Sequence, residues 1–194
     1  PFVWVVITAF KGELQIAQRT SLWWPEPWTM ANFDYLVNKT SFSVWMRNTV
    51  MISVITTVLA VFLAALGGYA LARSGRSYAF WILIAALVFR AMPDITLVSG
   101  YLLPFFQLNI WGYLPTTIIV LVALNQPFTL WMLYSFFVNI PKELDESALV
   151  DGCSRFQAFR LAVMPVMWPG VITTGLFSFL LGYNDFAVTS LLLT

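Results

Sequence analysis

The stretch 140-IPKELDESALVDGCS-154 holds the one dense run of charge in this chain and lies between two long apolar segments. Its position predicts a water-facing structure between two membrane spans, because about 20 apolar residues cross a bilayer core. The charged residues of this stretch and of the turn after it are Lys142, Glu143, Asp145, Glu146, Asp151, Arg155 and Arg160.

The local sequence of this stretch predicts two short helices joined at a glycine. Pro141 can open the first helix where a missing N–H costs nothing, and three acidic residues follow near the positive end of the helix dipole. We expect Gly152 to end this helix, and Ser154 with Gln157 to form a capping box for the second. Cys153 is interpreted as a small filler of the elbow.

The first of these helices is also predicted to present a small apolar surface. Leu144 and Ala148 are spaced to share a helix face, with Leu149 and Asp151 less squarely placed. Flanked by carboxylates, this surface would seat in a groove of another protein.

The charged stretch resembles the EAA loop of the permease subunits of bacterial ABC importers, in which Glu-Ala-Ala is followed by Asp-Gly and later by Leu-Pro. This chain departs from that pattern at Ser147, at Ala162 where isoleucine is usual, and at Met164 where leucine is usual. The residues that carry the resemblance are Glu146, Ser147, Ala148, Asp151, Gly152, Phe159 and Pro165. The resemblance implies a cytoplasmic coupling loop at residues 141–157, with ATPase-coupling residues Glu143, Glu146, Ser147, Ala148, Asp151 and Gly152.

The flanking segments resemble the sugar-transporting branch of that family, the relatives of the maltose permease subunits. They are Pro127-Phe128-Thr129-Leu130-Trp131, Phe136-Phe137, Ile140-Pro141-Lys142-Glu143-Leu144 and Tyr183-Asn184-Asp185-Phe186. The resemblance covers nearly the whole chain and implies a sugar-like substrate.

Composition predicts a membrane protein. The 194 residues are 60% hydrophobic and 10% charged, whereas soluble domains are typically about 25% charged. With one cysteine and no histidine, neither a disulfide nor a transition-metal cluster can be built from this chain alone, and no metal site is expected. A net charge of +1 gives no reason to expect a nucleic-acid partner.

The motifs of catalysis are missing from the sequence. No phosphate-binding Gly-x-x-x-x-Gly-Lys-Ser/Thr is present, so the chain is not expected to bind ATP, and no nucleophile has a histidine base. We therefore expect a transport subunit with no cofactor of its own, and ATP and Mg²⁺ in partner ATPase subunits.

The apolar runs predict an all-α polytopic bundle of the ABC importer permease type, treated as one transmembrane permease domain over residues 1–194. Complete spans are expected at residues 48–72, 78–102, 116–139 and 161–184, and residues 1–10 as the outer end of a first span. The start of that span and a last span are expected to lie outside this fragment.

The connecting segments carry aromatic and basic residues. The family resemblance implies that residues 11–40 lie at the outer face, where Trp23, Trp24, Trp28 and Tyr35 would form a headgroup belt or pack in the loop. A platform for stacking a sugar is the less favoured alternative. Small residues at 64–70 predict close helix packing, and Arg73 and Arg76 predict a short cytoplasmic turn.

Two intramembrane charges are expected to face protein or water, because a lone arginine near mid-bilayer costs several kcal/mol. Arg90 and Asp94 flank Pro93, and they either neutralise each other at i,i+4 spacing or line the substrate path. Both alternatives stay open, and the family resemblance implies no role for Arg90.

Polar residues in the later spans are also candidates either for structural contacts or for the substrate path. Asn125-Gln126-Pro127 is expected to break the hydrogen-bond ladder and kink the fourth span, and either to line a cavity, the favoured interpretation, or to meet a neighbouring helix. Asn184 and Asp185 form either a helix end at the interface, the favoured interpretation, or part of the path. The turn before the fourth span is predicted from Pro104, Asn109, Gly112 and Pro115. The candidate translocation path is therefore Arg90, Asp94, Asn125, Gln126, Asn184 and Asp185.

Taken with the resemblance, these patterns predict a multi-pass permease subunit of the bacterial inner membrane, in an ATP-driven importer of a sugar, oligosaccharide or polyol. The implied partners are a second permease, two cytoplasmic ATPase subunits and an extracytoplasmic solute-binding protein. The rival hypothesis is an ion- or proton-coupled transporter or channel that uses Arg90, Asp94 and Asp185. A third hypothesis, a purely structural membrane scaffold, would explain the small-residue helix faces but not the EAA-like motif.

Overall fold

The computed structural model describes residues 1–18, 23–75 and 77–193, and every regular element in these ranges is a helix. The all-α prediction is therefore confirmed. Backbone contacts divide the chain into two compact units, Pro1–Thr49 and Val50–Thr194. Arg19 and Arg76, two basic residues of the predicted loops, lie outside the described residues.

The first unit is built from short helices. They are α1 (Phe2–Ala9), α2 (Glu13–Ala17), α3 (Ala31–Asn38) and the beginning of α4 (Phe42–Ser74). Asn32 connects two of them, since its Nδ2 donates to the carbonyls of Ala9 at 3.0 Å and Lys11 at 2.8 Å. Trp24 and Trp28 meet edge to face at 5.7 Å and stay largely exposed, so the choice between a belt and a sugar platform stays open.

The second unit contains the longer helices. After the main part of α4 come α5 (Tyr78–Arg90), α6 (Asp94–Gln107), α7 (Leu114–Val138), α8 (Glu143–Val150), α9 (Arg155–Ala158), a π-helical turn (Phe159–Val163), α10 (Met164–Tyr183) and α11 (Ala187–Leu192). Within the described ranges, three continuous helical segments are long and apolar enough to cross a membrane: Phe42–Ser74, Leu114–Val138 and Arg155–Tyr183. They correspond to the predicted spans at 48–72, 116–139 and 161–184.

The predicted span at 78–102 is not one straight helix. Helices α5 and α6 meet at an angle of 89° across the short break between Arg90 and Asp94. Pro93 has extended backbone angles (φ −61°, ψ 126°), and a proline disfavours helical geometry in the residue before it. The predicted third span is therefore bent at Pro93, where one helix ends and the next begins.

Other prolines are tolerated inside helices, among them Pro104 and Pro127. Helix α7 continues through Pro127, so the proline does not divide the fourth span into two helices. Helices α5 and α10 pack against α7, and one lost hydrogen bond is a small defect in a packed membrane helix. Pro104 lies within α6 rather than in the turn. The turn itself is made by Asn109 (φ 53°) and Gly112 (φ 80°), as predicted.

Small residues of α4 let it pack closely on α7. A Cβ on Gly68 would lie 3.1 Å from the backbone nitrogen of Tyr134, closer than an ordinary van der Waals contact. This confirms the close packing predicted from residues 64–70. The core at this end of the second unit is formed by Ala64, Ala65, Leu133, Phe137, Ile140, Phe159, Val163 and Met167.

Candidate functional site

The elbow between α8 and α9 has the predicted geometry. Gly152 has φ +86° and closes α8 in a Schellman motif, because the Cys153 N–H donates to Ala148 O at 3.0 Å and the Gly152 N–H to Leu149 O at 3.1 Å. The capping box is present as well, with the Ser154 N–H donating to Gln157 Oε1 at 2.7 Å and the Gln157 N–H to Ser154 Oγ at 3.3 Å. The helix, glycine elbow and second helix are confirmed.

The side of α8 that faces outward is not the apolar side that the sequence predicted. Leu144 and Ala148 pack on the core of their own chain, so the predicted apolar knob for a partner was wrong. An i,i+4 apolar pair is the part of a short helix that its own core covers first. The exposed side carries Glu143, Glu146 and Ser147.

Three further residues belong to the exposed surface: Val150, which the sequence analysis did not single out, and the elbow residues Asp151 and Gly152. Val150 is 87% exposed and lies seven residues after Glu143, on the same face of α8. Asp151 and Gly152 are exposed at the elbow. The structure thus brings five of the six predicted coupling residues to the surface and buries the sixth, Ala148.

The inward side of α8 also holds a charged group whose partner the sequence did not reveal. Asp145 is one of the three acidic residues of the first turn, as predicted, but its side chain is only 12% exposed and pairs with Arg73 Nη2 at 2.7 Å. Arg73 Nε donates to the same oxygen at 2.8 Å, and the Tyr69 hydroxyl donates to the other carboxylate oxygen. No local pattern could reveal this contact, because the two partners lie 72 positions apart.

After the elbow, the chain enters the membrane-spanning segment through a π-helical turn, Phe159–Val163. Pro165 follows directly, and its ring would clash with the carbonyl four residues earlier in a regular α-helix. The wider turn accommodates the proline without ending the 29-residue helical segment. Phe159 is buried and its ring lies 4.8 Å from that of Tyr69.

Five of the six predicted translocation-path residues line one cavity of about 450 Å³. The cavity lies where the α5–α6 bend, the middle of α7 and the end of α10 approach one another. Its polar lining is Arg90, Asp94, Asn125, Asn184 and Asp185, and its apolar lining includes Phe128 and Phe177. Hydropathy alone could not show that these residues converge, since they belong to separate helices.

Arg90 and Asp94 pair with each other and also line cavities. Their side chains are 3.5 Å apart and about one third exposed, so the ion pair is present and loosely held. Both residues also line the first cavity and a second of about 300 Å³. Gln126, the sixth candidate, lines the second cavity, and its Oε1 accepts no hydrogen bond from the described residues.

Asn125 meets a neighbouring helix as well as lining the cavity. Its Nδ2 donates to both the backbone O and the Oγ of Ser178 on α10, each at 3.0 Å. Its Oδ1 faces the Thr129 hydroxyl at 3.4 Å. The amide therefore bridges α7 and α10 and also lines the cavity, so both arrangements that the sequence allowed are present.

Asn184 and Asp185 end α10 and begin α11. Asn184 Nδ2 donates to Leu180 O at 2.8 Å, and Asp185 Oδ1 accepts the N–H groups of Val188 at 3.0 Å and Thr189 at 3.1 Å. These contacts are those of a helix end, as favoured from the sequence, and both residues still contribute to the cavity wall.

Residues 57–194 match the family described as the inner membrane component of binding-protein-dependent transport systems. The chain belongs to this family. The resemblance carried by the charged loop is thereby confirmed, as is the prediction of a multi-pass permease of the inner membrane.

The permease is also similar to curated transport proteins. The sulfoquinovosyl glycerol transport system permease protein SmoH of Agrobacterium fabrum is 30% identical over 96% of this chain and 65% of its own length. The probable ABC transporter permease protein y4oR of Sinorhizobium fredii is 33% identical over 100% of this chain and 69% of its own. The trehalose/maltose transport system permease protein MalG of Thermococcus litoralis is 28% identical, over 100% and 70%. The permease described here therefore spans about two thirds of the length of these relatives.

Proposed function

We propose that this permease carries a sugar, oligosaccharide or polyol across the inner membrane, in an importer powered by partner ATPase subunits. The substrate class is supported by relatives whose names refer to sulfoquinovosyl glycerol, diacetylchitobiose and trehalose or maltose transport. The proposed assembly contains a second permease, two cytoplasmic ATPase subunits that bind ATP and Mg²⁺, and an extracytoplasmic solute-binding protein.

The observation that carries this proposal is the two-sided character of α8. One side is anchored in the permease core by Leu144, Ala148 and Asp145. The opposite side presents Glu143 and Glu146 to solvent. A short helix anchored on one side and charged on the other is suited to transmit a movement of a cytoplasmic subunit to the membrane spans. The proposed coupling loop is residues 141–157.

In this mechanism the ATPase subunits grip the exposed side of α8 and tilt the spans as rigid bodies. Glu143, Glu146 and Ser147 would contact the ATPase, while Asp151 and Gly152 would hold the elbow angle. Ala148 would act through its packing rather than by contact. The substrate crosses without covalent change, as the cavity opens alternately to each side of the membrane.

The 450 Å³ cavity is the proposed segment of the translocation path. It combines amide, carboxylate and guanidinium groups with the rings of Phe128 and Phe177. Sugars are bound by hydrogen bonds to such polar groups and by apolar contact with aromatic rings, and pockets of about 300–1,000 Å³ hold small ligands.

A second candidate function is ion-coupled transport, because Arg90, Asp94 and Asp185 line that same cavity. Arg90 and Asp94 are paired with each other, and one carboxylate oxygen of Asp185 is used by the start of α11. These pairings leave fewer groups free to carry an ion, so the structure favours the first candidate.

The test is uptake of radiolabelled sugar by proteoliposomes that hold the full permease with its ATPase subunits. We expect uptake to require both ATP and the binding protein, and to continue when ionophores collapse ion gradients. Uptake driven by an ion gradient without ATP would refute the proposal and favour the second candidate.

A cavity variant adds a matched comparison. Phe128→Ala should weaken sugar uptake at limiting substrate, while Leu103→Ala, a change at a side chain that is 72% exposed on α6, should not. Equal uptake by the two variants would remove the cavity from the proposed path.

A further inference from the structure

The C-terminal end of α4 holds a buried ion pair that joins it to α8. Arg73 reaches Asp145 Oδ2 through two nitrogens, Nη2 at 2.7 Å and Nε at 2.8 Å, and the two side chains are 14% and 12% exposed. The hydroxyl of Tyr69, one turn earlier on α4, donates to Asp145 Oδ1. Both oxygens of the carboxylate are therefore engaged by α4.

The same guanidinium also binds the end of α7. Arg73 Nη1 donates to the carbonyl of Ile140 at 3.1 Å and to that of Phe137 at 3.3 Å. Carbonyls at a helix C-terminus have no partner within the helix and attract a cation. Arg73 thus contacts α7 and α8 from α4, and Tyr69 extends the contact to Phe159 in the π-helical turn at a ring distance of 4.8 Å.

From this arrangement we infer that Arg73, Asp145 and Tyr69 are positioning residues that fasten the coupling helix to α4 and α7. A displacement of α8 then moves these spans with it instead of sliding α8 over them. The inference rests on the proposed function, because it names the contacts through which the proposed coupling would pass into the membrane segment.

The burial of the Arg73–Asp145 pair favours such a role over incidental pairing. An exposed ion pair contributes little and is easily rearranged, but removing one partner of a buried pair leaves an uncompensated charge. Helix α8 has only 8 residues, too few to be stable without contacts to the rest of the protein. Its apolar contacts on the core are not directional, whereas the hydrogen bonds of Arg73 fix both position and rotation.

The variants distinguish the loss of the directional hydrogen bonds that hold α8 from the loss of charge. Arg73→Lys keeps the charge but replaces a planar fork by a single ammonium, which cannot serve the carboxylate and both carbonyls at once. Tyr69→Phe removes only the hydroxyl and keeps the ring contacts. Arg160→Gln is the matched control, since this arginine is exposed near the same loop and has no ion-pair partner among the described residues.

The measurement is the number of sugar molecules transported per ATP hydrolysed by the assembled full complex in proteoliposomes. We expect this ratio to fall about tenfold in Arg73→Lys and in Asp145→Asn, and by a smaller factor in Tyr69→Phe. Arg160→Gln should keep the wild-type ratio. A merely structural role would lower yield or thermal stability and leave the ratio of the assembled fraction unchanged, which would overturn the inference.

Hydrogen exchange of the permease gives a second measurement that needs no ATPase. Amides of residues 143–150 should exchange faster in Tyr69→Phe and Arg73→Lys than in wild type, while those in the middle of α10 should not change. Unchanged exchange in α8 would overturn the inference even if uptake is impaired. If the wild-type complex shows no ATP-dependent uptake, the proposed function fails, and the exchange measurement still tests the fastening by itself.

Discussion

The substitution Glu146→Ala separates a coupling role from a helix-stabilising role. Glu146 lies in the first turns of α8, is exposed, and makes no side-chain ion pair or hydrogen bond with the described part of the chain. Its expected contribution to the permease alone is its interaction with the helix dipole, about 0.3–1 kcal/mol. Thermal stability of the isolated permease should therefore change little.

The expected loss on binding the ATPase is larger. If Glu146 pairs with a basic group across a buried interface, its removal leaves that group unmatched at a cost of about 2–5 kcal/mol. Each 1.4 kcal/mol is about a factor of ten in affinity, so association should weaken more than about tenfold. The neighbouring carboxylate provides the contrast, because Asp145→Ala breaks the ion pair with Arg73 and should lower permease stability directly.

The assay combines two measurements on permease in nanodiscs, the affinity for the ATPase subunit and the melting temperature. Glu146→Ala should change the first, and Asp145→Ala should change the second. A basic-to-acidic substitution on the ATPase should partly restore assembly with Glu146→Lys. Normal assembly together with earlier melting of Glu146→Ala would show that this residue is only a helix-end charge, and the coupling role would be wrong.

Three further substitutions probe the elbow, the cavity and the Asn125 bridge between α7 and α10. Gly152→Val should leave membrane insertion intact but uncouple ATP hydrolysis from uptake. The reason is the backbone φ of +86°, which a valine resists, since nothing lies within 4 Å of the added Cβ. Normal transport by this variant would contradict the prediction. Charge reversal of Arg90 should impair assembly or transport, and exchanging Arg90 and Asp94 should rescue it if they act only as a pair; lipid-phase labelling of a cysteine at position 90 would show that the residue faces lipid instead. Asn125→Ala should destabilise the permease by about 1–3 kcal/mol in a thermal melt, and Ser178→Ala should cost less because the backbone acceptor remains; equal losses would mean that the hydroxyl is the main partner.

The charged loop shows how far local sequence can determine structure. Pro141, Gly152, Ser154 and Gln157 specify two short helices and an elbow, and the structure has each of them. Such features depend on hydrogen bonds between residues at most five positions apart, so local patterns suffice to predict them. The apolar runs likewise predict three continuous spans, because the bilayer sets their length.

Prolines mark the point where local patterns become ambiguous. Pro93 separates two helices that meet at 89°, while Pro104 and Pro127 lie inside continuous helices. The same residue type removes one backbone donor in each case. Packing by neighbouring helices determines whether the chain continues or bends, and that packing is not visible in the sequence.

The sequence by itself determined the membrane class, the spans and the shape of the coupling loop, since these follow from hydropathy and short-range hydrogen bonding. Only the tertiary structure decided the orientation of α8, with Asp145 turned inward to Arg73 and Glu146 outward. Only the tertiary structure brought Arg90, Asn125 and Asp185 to one cavity. Both arrangements depend on contacts between residues far apart in the chain, whose free energy is gained only after the helices have packed.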